Sequence, residues 1–452
     1  MGVLLSAVLA LAAGWMAYAR IGKVPGELMD YAERRLQGHT RLESVALPVL
    51  AQIRRALDEP SAAERRQQPF IVPRPPQEAA ATLAADATTA MAGARVVRVG
   101  PAEAILTIAA AARVARDGDI VEIQAGTYRG DVTVWNQKRL TIRGVGGRAR
   151  LFADRRSAEG KAIWVFRNGD FDIANIDFIG AKVSDKNGAG IRFEGGRLRV
   201  SHCLFWGNEN GILTTNTAQE LDVRHSEFGY NGYGDGYSHH LYAGRLRSLT
   251  VTGSYFHHAN IGHLLKSRAA FNVVSYNRFT DEDGGRASYE LNFPNGGAVY
   301  VVGNLVQQSR GTDNSAMIAY GEEGLVYDRN TLVLTSNTLV NDRPYGGTFV
   351  RAQSGTDKVL LANNLLIGGG ALQIPFDYQA NNNPHANWGI FALAARQDYR
   401  LNEKGRELVY QPVPPDPDPN MEIVPTREYV HPMQVRPLTG PPAFAGALQS
   451  SN

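Results

Sequence analysis

A short apolar pattern returns along the chain between residues 173 and 367. Each copy is a strand-like apolar group, followed by a small polar residue or Asn and then by an aromatic or aliphatic side chain. The spacings between successive copies are 27, 23, 28, 23, 27, 33 and 27 residues, and a period in this range indicates a repeat architecture. The copies end at Phe178, Phe205, Phe228, Phe256, Phe279, Val306, Leu339 and Leu366.

The composition of the copies predicts β-strands. Each copy is rich in β-branched and aromatic residues over a few positions and is bounded by Gly, Asn and Asp. The segments between copies are too short for a helical crossover and show no helical period. We therefore predict an all-β fold, a parallel β-solenoid in which each copy is one coil and the apolar residues form a continuous column.

A column of asparagines accompanies the apolar one. Asn277, Asn304, Asn337 and Asn364 would lie above one another at a tight turn. Asn tolerates left-handed backbone and can hydrogen-bond from coil to coil. We predict that this column is structural, because side chains stacked in this way need no ligand.

The first 94 residues lack the pattern. Residues 1–19 are mostly apolar and uncharged, short for a membrane span and long for a signal-peptide core, and we predict a signal-anchor or a signal peptide. Residues 20–57 are amphipathic and predict one or two helices. Residues 58–94, rich in Ala, Pro, Gln and Arg, are predicted to be a linker.

The solenoid is predicted to span residues 95–402. Pro101 to Ala115 has the pattern of a short helix, and Asp119 to Val134 alternates like a strand. A helix there would cover the open end of the apolar column. This helix and strand resemble the first coil of right-handed β-helix proteins of the pectate-lyase type, which implies a right-handed β-helix with an N-terminal capping helix. Asp398 to Asn402 is predicted to be a closing strand.

Charge, cysteine content and the end of the chain narrow the remaining possibilities. The 47 Lys and Arg residues nearly balance 44 Asp and Glu residues, the net charge is +3, and no basic stripe is interleaved with aromatics, so we predict no nucleic-acid partner. The single cysteine, Cys203, excludes a disulfide framework and is expected to lie in the core. Residues 403–452 are a Pro-rich tail, expected to be mobile or to run over the surface. We expect a monomer.

Unusual polar residues concentrate in three consecutive coils. Six of the ten histidines lie between residues 225 and 263. Successive strand side chains face opposite sides, so if Leu241, Leu265 and Leu291 point into the column, their neighbours point outwards. The predicted outward set is His240, Tyr242, Leu264, Lys266, Arg268, Glu290 and Asn292.

These residue types suit an anionic polymer and one reaction. A basic groove on a solenoid can hold an anionic chain along its length. Removing the carbon-5 proton of a uronic acid requires a cation at the adjacent carboxylate and a general base. Lys266 is the candidate base, Arg268 or His240 would neutralise the carboxylate, and Tyr242 or His263 would transfer a proton. The predicted substrate-binding residues are Glu290, Asn292, His263, Tyr289 and Tyr320.

The segment 266–284 resembles a known family of enzymes. Lys266-Ser267, Asn272, Asn277, Phe279 and Gly284 are similar to the KS…N…N-x-F…G stretch of the β-helix polysaccharide lyases that include chondroitinase B and alginate lyases. In that family the Lys of the KS pair is the Brønsted base, which implies the same role for Lys266.

The sequence departs from that family at two places. The acidic calcium ligands of the family would fall at Ala259, Asn260 and Ile261, and its Arg-His-Gly segment would fall near Ser288 to Asn292. Neither the calcium site nor the acid arginine carries over. We predict no cofactor and no metal site.

Three structural alternatives stand beside the chemical ones. Lys266 and Arg268 could be solvated strand charges or partners of Glu290 on the next coil. The pair His257-His258 is expected to be a turn feature, because no Cys or carboxylate stands at zinc-ligand spacing. The acidic run 281–283 lacks calcium-loop spacing and is expected to be a solvated turn.

Two function classes remain. One is an exported enzyme that acts on a uronate-containing, anionic polysaccharide by β-elimination or carbon-5 epimerisation. The other is a non-catalytic scaffold that binds such a polymer during exopolysaccharide production or export. A glycoside hydrolase would need two carboxylates, for which Glu290 with Glu322 or Asp313 is the available choice. We expect a periplasmic or extracellular location, anchored to the inner membrane through the N-terminal segment.

Overall fold

The chain winds as a parallel β-solenoid of about ten turns, which confirms the predicted architecture. The computed structural model describes residues 29, 40–57, 69–76, 93–312, 314–343, 346–375, 378–415, 418 and 420–450. Each full turn contributes one strand to each of three faces, and every strand pairs in parallel with its counterpart in the next turn. Face 1 and face 2 belong to one continuous sheet, whereas face 3 is a separate sheet of ten strands.

Face 1 carries the longer strands of each turn. Their inward positions alternate with outward ones, as the period of a half-buried strand requires. The strands of face 1 are Val96–Val99, Ile120–Arg129, Arg139–Phe152, Gly169–Ala174, Gly196–Ser201, Ala218–Arg224, Ser248–Thr252, Phe271–Ser275, Ala298–Val302, Thr331–Thr335, Lys358–Ala362 and Gln379–Asn381.

Face 2 follows face 1 in each turn and carries the repeated Phe or aliphatic residue. It begins on the second halves of Ile120–Arg129 and Arg139–Phe152, which bend from face 1 into face 2. Its other strands are Ile176–Ile179, Leu204–Trp206, Glu227–Gly229, Tyr255–His257, Arg278–Thr280, Leu305–Gln308, Thr338–Asn341, Leu365–Ile367 and His385–Ala386.

Face 3 closes each turn. Its strands are short, and the inward residues on them are large and apolar in most turns. They are Thr133–Trp135, Ala162–Phe166, Ala189–Phe193, Asn210–Thr214, His239–Ala243, His263–Ser267, Leu291–Phe293, Ala316–Tyr320, Thr348–Ala352 and Ala371–Gln373.

The repeated aromatic residues stack inside the solenoid, as the period predicts. Phe178, Phe205, Phe228, Phe256 and Phe279 are in register on face 2. Their successive ring centroids lie 5.1, 4.5, 4.4 and 4.6 Å apart. All five rings are fully buried, so each adds on the order of 2 kcal/mol of apolar burial to the column.

The asparagine column is structural, which also confirms its prediction. The Nδ2 groups of Asn277, Asn304 and Asn337 donate to the Oδ1 atom of the next Asn at 3.0, 3.0 and 2.9 Å. Each Oδ1 also accepts a backbone N–H of the previous turn. The left-handed residue is not the Asn itself but the residue before it, Tyr276, Gly303, Ser336 and Asn363.

A short helix covers the first turn of the solenoid. It runs from Ile108 to Val114, with Thr107 as N-cap, and Ile108, Ala111 and Ala112 join the core. The predicted helix over 101–115 was therefore too long at its start. The chain before Thr107 forms a turn closed by Gly100 N–H donating to the Ile105 carbonyl at 3.0 Å.

Two described segments precede the solenoid. Thr40–Leu57 is a helix, within the region predicted to be helical. Residues 69–76, part of the predicted linker, lie along face 2, where Trp206 Nε1 donates to the Pro73 carbonyl at 2.9 Å and Phe70 packs on Tyr230. The predicted segment 1–19 lies outside the described residues. Within the described ranges, no helix is both long and apolar enough to cross a membrane.

The C-terminal region runs over the surface of the solenoid and packs on it, which is one of the two arrangements expected for this Pro-rich tail. Its Tyr429, Ala445 and Ala447 are at most 3% exposed. Ala447 N–H donates to Thr338 Oγ1 at 2.9 Å, and Thr335 Oγ1 donates to the Ile423 carbonyl at 2.6 Å. The regular elements after the last turn are the antiparallel pairs Phe391–Leu393 with Asp398–Leu401 and Arg427–Val430 with Gln434–Pro437, and the short 3₁₀ helices Trp388–Ile390, Ala394–Arg396 and Gly405–Glu407.

Candidate functional site

Three of the predicted outward residues lie side by side on the outer surface of face 3. Leu241, Leu265 and Leu291 occupy one inward row. The next position on each strand is therefore outward and holds Tyr242, Lys266 and Asn292 in consecutive turns. Adjacent parallel strands are about 4.8 Å apart, so these three side chains form one polar row. Tyr242 and Lys266 are partly exposed, whereas Asn292 is only 1% exposed.

Three other members of the outward set are wrong, because His240, Leu264 and Glu290 are fully buried. His239 pairs with His263 and Leu241 with Leu265 at the same offset, but His240 and Leu264 form no pair between them. Glu290 precedes its strand, which begins at Leu291, so all three residues stand where the strand is irregular. The alternation rule fails there because it holds only along a regular strand.

The cations of the row are held by an acidic side chain that sequence reasoning missed. Lys266 Nζ donates to Glu323 Oε1 at 3.0 Å, and Arg268 Nη2 donates to Glu323 Oε2 at 2.6 Å. Glu323 follows the face 3 strand two turns later, so the predicted pairing of these cations with Glu290 is wrong. Although burial opposes it, hydrogen bonds from Arg268 and Lys266 lower the pKa of Glu323, and the carboxylate is ionised at neutral pH.

Further hydrogen bonds fix the geometry of the cations. Arg268 Nε donates to the Tyr242 hydroxyl oxygen at 3.0 Å, and Arg268 Nη1 donates to Asn295 Oδ1 at 2.5 Å. Asn292 Nδ2 donates to the Glu322 carboxylate. A guanidinium that donates to a phenol oxygen stabilises negative charge on that oxygen.

An aromatic row borders the polar row at the start of the same strands. The rings of His239 and His263 stack with centroids 4.5 Å apart, and Tyr289 lies 5.1 Å from His263. Burial, with smaller contributions from Lys266 and Arg268, lowers the pKa of both His239 and His263 well below the usual histidine range. The two rings are therefore neutral, and each can accept or donate a hydrogen bond without adding charge.

Tyr320 does not belong to the surface. It is 1% exposed, and its hydroxyl donates to the Gly297 carbonyl at 2.7 Å. The predicted substrate-binding role of Tyr320 is thus wrong, because the side chain is part of the solenoid wall. Glu290 is excluded for the same reason, both as a binding residue and as a hydrolase carboxylate. Asp313, its other possible partner, lies outside the described residues.

Most of the lyase-like motif has a structural role. Ser267 Oγ donates to Asn272 Oδ1 at 2.5 Å, and Asn272 Nδ2 donates to the Ala269 carbonyl at 2.9 Å, which closes the turn after the strand. Asn277 belongs to the asparagine column and Phe279 to the aromatic stack. Lys266 is the one member of the motif whose side chain reaches the outer surface of face 3.

A second polar cluster lies on face 2. His257 Nε2 lies 3.2 Å from Glu227 Oε1, and the Tyr255 hydroxyl donates to Glu282 Oε1 at 2.5 Å. Burial raises the pKa of Glu227 to about 7 and lowers that of His257 to about 3. Residues 69–76 and the hairpin Arg427–Pro437 lie over this region, with His431 packed on Tyr255.

In the acidic run 281–283, Asp281 is buried and Glu282 is half-buried, so the prediction of a solvated turn is wrong for these two residues. Asp281 is fully buried and accepts hydrogen bonds from Ala259 N–H, Ala287 N–H and Ser309 Oγ. Burial raises its pKa to about 7. Asp283 alone of the three is exposed. The carboxyl of Asp281 ties the corner between faces 2 and 3 together.

Two other kinds of site were considered, a metal site and a nucleophilic cysteine. In the described part of the chain, no group of three or more His, Cys, Asp or Glu side chains is placed to hold a metal ion. Cys203 is fully buried, and burial raises the pKa of its thiol to about 12. This confirms its prediction as a core residue.

A cavity of about 340 Å³ lies between face 2 and the C-terminal region. Three of the arginines that line it are already bonded across or beside the seam. Arg278 donates to Gln397 Oε1, Arg400 to Asp398 and Arg436 to Glu428. The bond of Arg278 joins face 2 to the C-terminal region, whereas the other two lie within that region.

Comparison with solved structures supports the fold but does not identify a reaction. The solenoid resembles that of pectate lyase Pel9A, with a TM-score of 0.50 at 13% sequence identity, over 80% of this chain and 98% of that one. A variant of the PL6 family alginate lyase AlyGC gives a TM-score of 0.28 at 15% identity, over 72% of this chain and 60% of that one. The ORF18 protein of Geobacillus virus E2 gives a TM-score of 0.37 at 16% sequence identity, over 60% of this chain and 53% of that one. No protein-family model and no curated protein matches the sequence.

Proposed function

We propose that the chain binds a uronate-containing polysaccharide along face 3 and abstracts the carbon-5 proton of one uronate unit. The observation that carries this proposal is the convergence of Tyr242, Lys266 and Arg268 at one point of an elongated, strand-built surface. The likeness to pectate lyase Pel9A is one of fold. It supports a polysaccharide as the class of substrate.

The proposed roles follow from the chemistry of the side chains. Arg268 binds the uronate carboxylate and stabilises the charge that develops when the carbon-5 proton leaves. Lys266, after losing its own proton, removes the carbon-5 proton. In β-elimination the electron pair of the broken C–H bond forms the C4–C5 double bond, and the C4–O bond breaks. Tyr242 gives its proton to the leaving oxygen, and Arg268 stabilises the phenolate.

Epimerisation also begins with removal of the carbon-5 proton but ends with a proton being returned to carbon 5. If the C4–O bond does not break, a proton delivered from the opposite side of the ring inverts carbon 5. Tyr289 is half-buried beside Lys266 and packs on the buried ring of His263. Tyr289 is the group that would guide the sugar ring, because aromatic faces pack against apolar sugar surfaces.

A non-catalytic scaffold is the second candidate, and one observation favours it. Lys266 donates to Glu323, and an ammonium group in an ion pair is a binding group until it loses a proton. A polymer guide would use the same surface to hold carboxylates without chemistry. An exported location, with residues 1–19 as signal or anchor, would bring either protein to such polymers.

The test is incubation of the full chain with a panel of polyuronates, followed by ultraviolet absorbance of the unsaturated product of β-elimination. Product formation that is lost in Lys266→Ala, with the variant still folded, would establish a lyase. Incorporation of solvent deuterium at carbon 5 without chain cleavage would establish an epimerase. Binding of a polyuronate without either signal would assign the scaffold and exclude the enzyme.

A further inference from the structure

Glu323 makes the contacts that a uronate carboxylate would make. One of its oxygens accepts from the ammonium of Lys266 and the other from the guanidinium of Arg268. Any carboxylate can bridge two cations in this way, because both of its oxygens accept charge-assisted hydrogen bonds. Glu323 is 57 residues from Lys266 in sequence. The winding of the solenoid therefore brings its carboxylate to the cations from two turns further along the chain.

The segment that carries Glu323 is fixed at both ends and leaves the carboxylate at the surface. Glu323 N–H donates to the Pro294 carbonyl at 2.9 Å, and Val326 N–H donates to the Asn295 carbonyl at 3.1 Å. Gly321 and Gly324 on either side have φ of +79° and +102°, a conformation that glycine adopts without strain.

Exposure separates the acid from the cations that it covers. The Glu323 side chain is 42% exposed, whereas those of Lys266 and Arg268 are 13% and 19% exposed. An exposed ion pair contributes little net stability, because solvent screens it. A partly buried cation left without an anion is much less favourable. The cations therefore need an anion, and Glu323 is an anion that another carboxylate can replace.

We propose that Glu323 is a specificity-determining residue that occupies the position of the substrate carboxylate until a uronate unit displaces it. The proposal rests on the proposed function, because it assumes that a polyuronate lies on face 3. A neutral sugar would gain no binding energy at Lys266 and Arg268, since it has no carboxylate to replace that of Glu323. Glu323 would thus select for anionic polymers. It would also weaken the binding of every such polymer, because each must displace it from Lys266 and Arg268.

The experiment measures binding of oligogalacturonate and oligomannuronate to the full chain by titration calorimetry, with neutral dextran as a reference. Glu323→Gln keeps the shape of the side chain and removes its charge. We expect it to bind the oligouronates about two- to five-fold more tightly than the unsubstituted protein. The matched control is Glu403→Gln, an exposed glutamate of the C-terminal region, which makes the same change in net charge and should leave the affinity unchanged.

Two further variants separate this proposal from the proposed function. Arg268→Gln should lose oligouronate binding both alone and in combination with Glu323→Gln, with thermal unfolding confirming that each variant folds. If binding depends on Arg268 and Glu323→Gln leaves it unchanged or weakens it, Glu323 is not a competitor and this proposal alone is overturned. If neither the unsubstituted protein nor Glu323→Gln binds an oligouronate, both proposals are overturned.

Discussion

The outer surface of face 3 and the polar cluster of face 2 hold similar side chains in opposite settings. Both contain histidine, tyrosine, glutamate and a cation within a few ångströms of each other. On face 3, Lys266 and Arg268 keep contact with solvent and with one exposed acid. On face 2, His257 is buried and Glu227 is 14% exposed, and residues 69–76 and the hairpin Arg427–Pro437 lie over this face.

The difference shows that the clustering of histidines in the sequence is not by itself the mark of an active site. His240 and His257 have their pKa values lowered to about 3 by burial, and each ring bonds to fixed groups of the wall. Their polar atoms hold neighbouring turns in register. Residues that can meet a polymer are those of the open row on face 3.

The largest effect that would test the contrast between face 3 and face 2 is expected from the substitution Lys266→Ala. We expect turnover of the polyuronate to fall by at least about 100-fold, because a general base contributes this much or more. The urea midpoint of unfolding should change little, since Glu323 keeps its ion pair with Arg268. Lys404→Ala, which removes an exposed lysine of the C-terminal region, should retain full turnover. Equal activity in both variants would remove Lys266 from the mechanism.

The reverse pattern is expected for His257→Ala on face 2. This substitution removes a buried ring that packs on Trp206 and Tyr255 and leaves Glu227 without its partner. We expect a loss of about 2–3 kcal/mol in the free energy of unfolding, measured by urea denaturation. Turnover per folded molecule should be unchanged, and the exposed His385, replaced by Ala, is the control. A selective loss of turnover in His257→Ala would mean that face 2 takes part in the reaction.

A smaller effect is expected from the carboxyl buried beneath the face 3 surface. Burial, with repulsion from Asp281, raises the pKa of Glu290 well above its usual value, and neither of its oxygens has a hydrogen-bond partner among the described residues. Between the unfolded and folded pKa values, the folded protein binds more protons than the unfolded chain. The free energy of unfolding therefore falls as the pH rises above about 4.

Glu290→Gln should flatten this dependence. At pH 8 the variant is expected to be more stable than the unsubstituted protein by about 1 kcal/mol or more, whereas at pH 4 the two should be alike. Denaturation at a series of pH values measures the difference. Some slope will persist, because Asp281 and Glu227 also have raised pKa values of about 7. Parallel profiles for variant and unsubstituted protein would show that Glu290 is ionised in the folded state.

Sequence reasoning was reliable wherever a single coil repeats regularly. The Phe residues and the asparagines recur with the period of the coil, so their stacks could be placed without a structure. The row of Tyr242, Lys266 and Asn292 followed from strand alternation on three consecutive coils. The errors at His240 and Glu290 arose at a position of the coil where the pleat is interrupted, and nothing in the local residue types marks that position.

The sequence by itself determined the parallel solenoid, its structural columns and, along regular strands, the positions that face outwards. These follow from short-range periodicity, which each turn repeats and stacking reinforces. Only the tertiary structure decided that Glu323 pairs with Lys266 and Arg268, and that residues 69–76 and the C-terminal region cover face 2. Those contacts join residues two turns or more apart through loops of irregular length, and no periodic pattern records where such loops place their side chains.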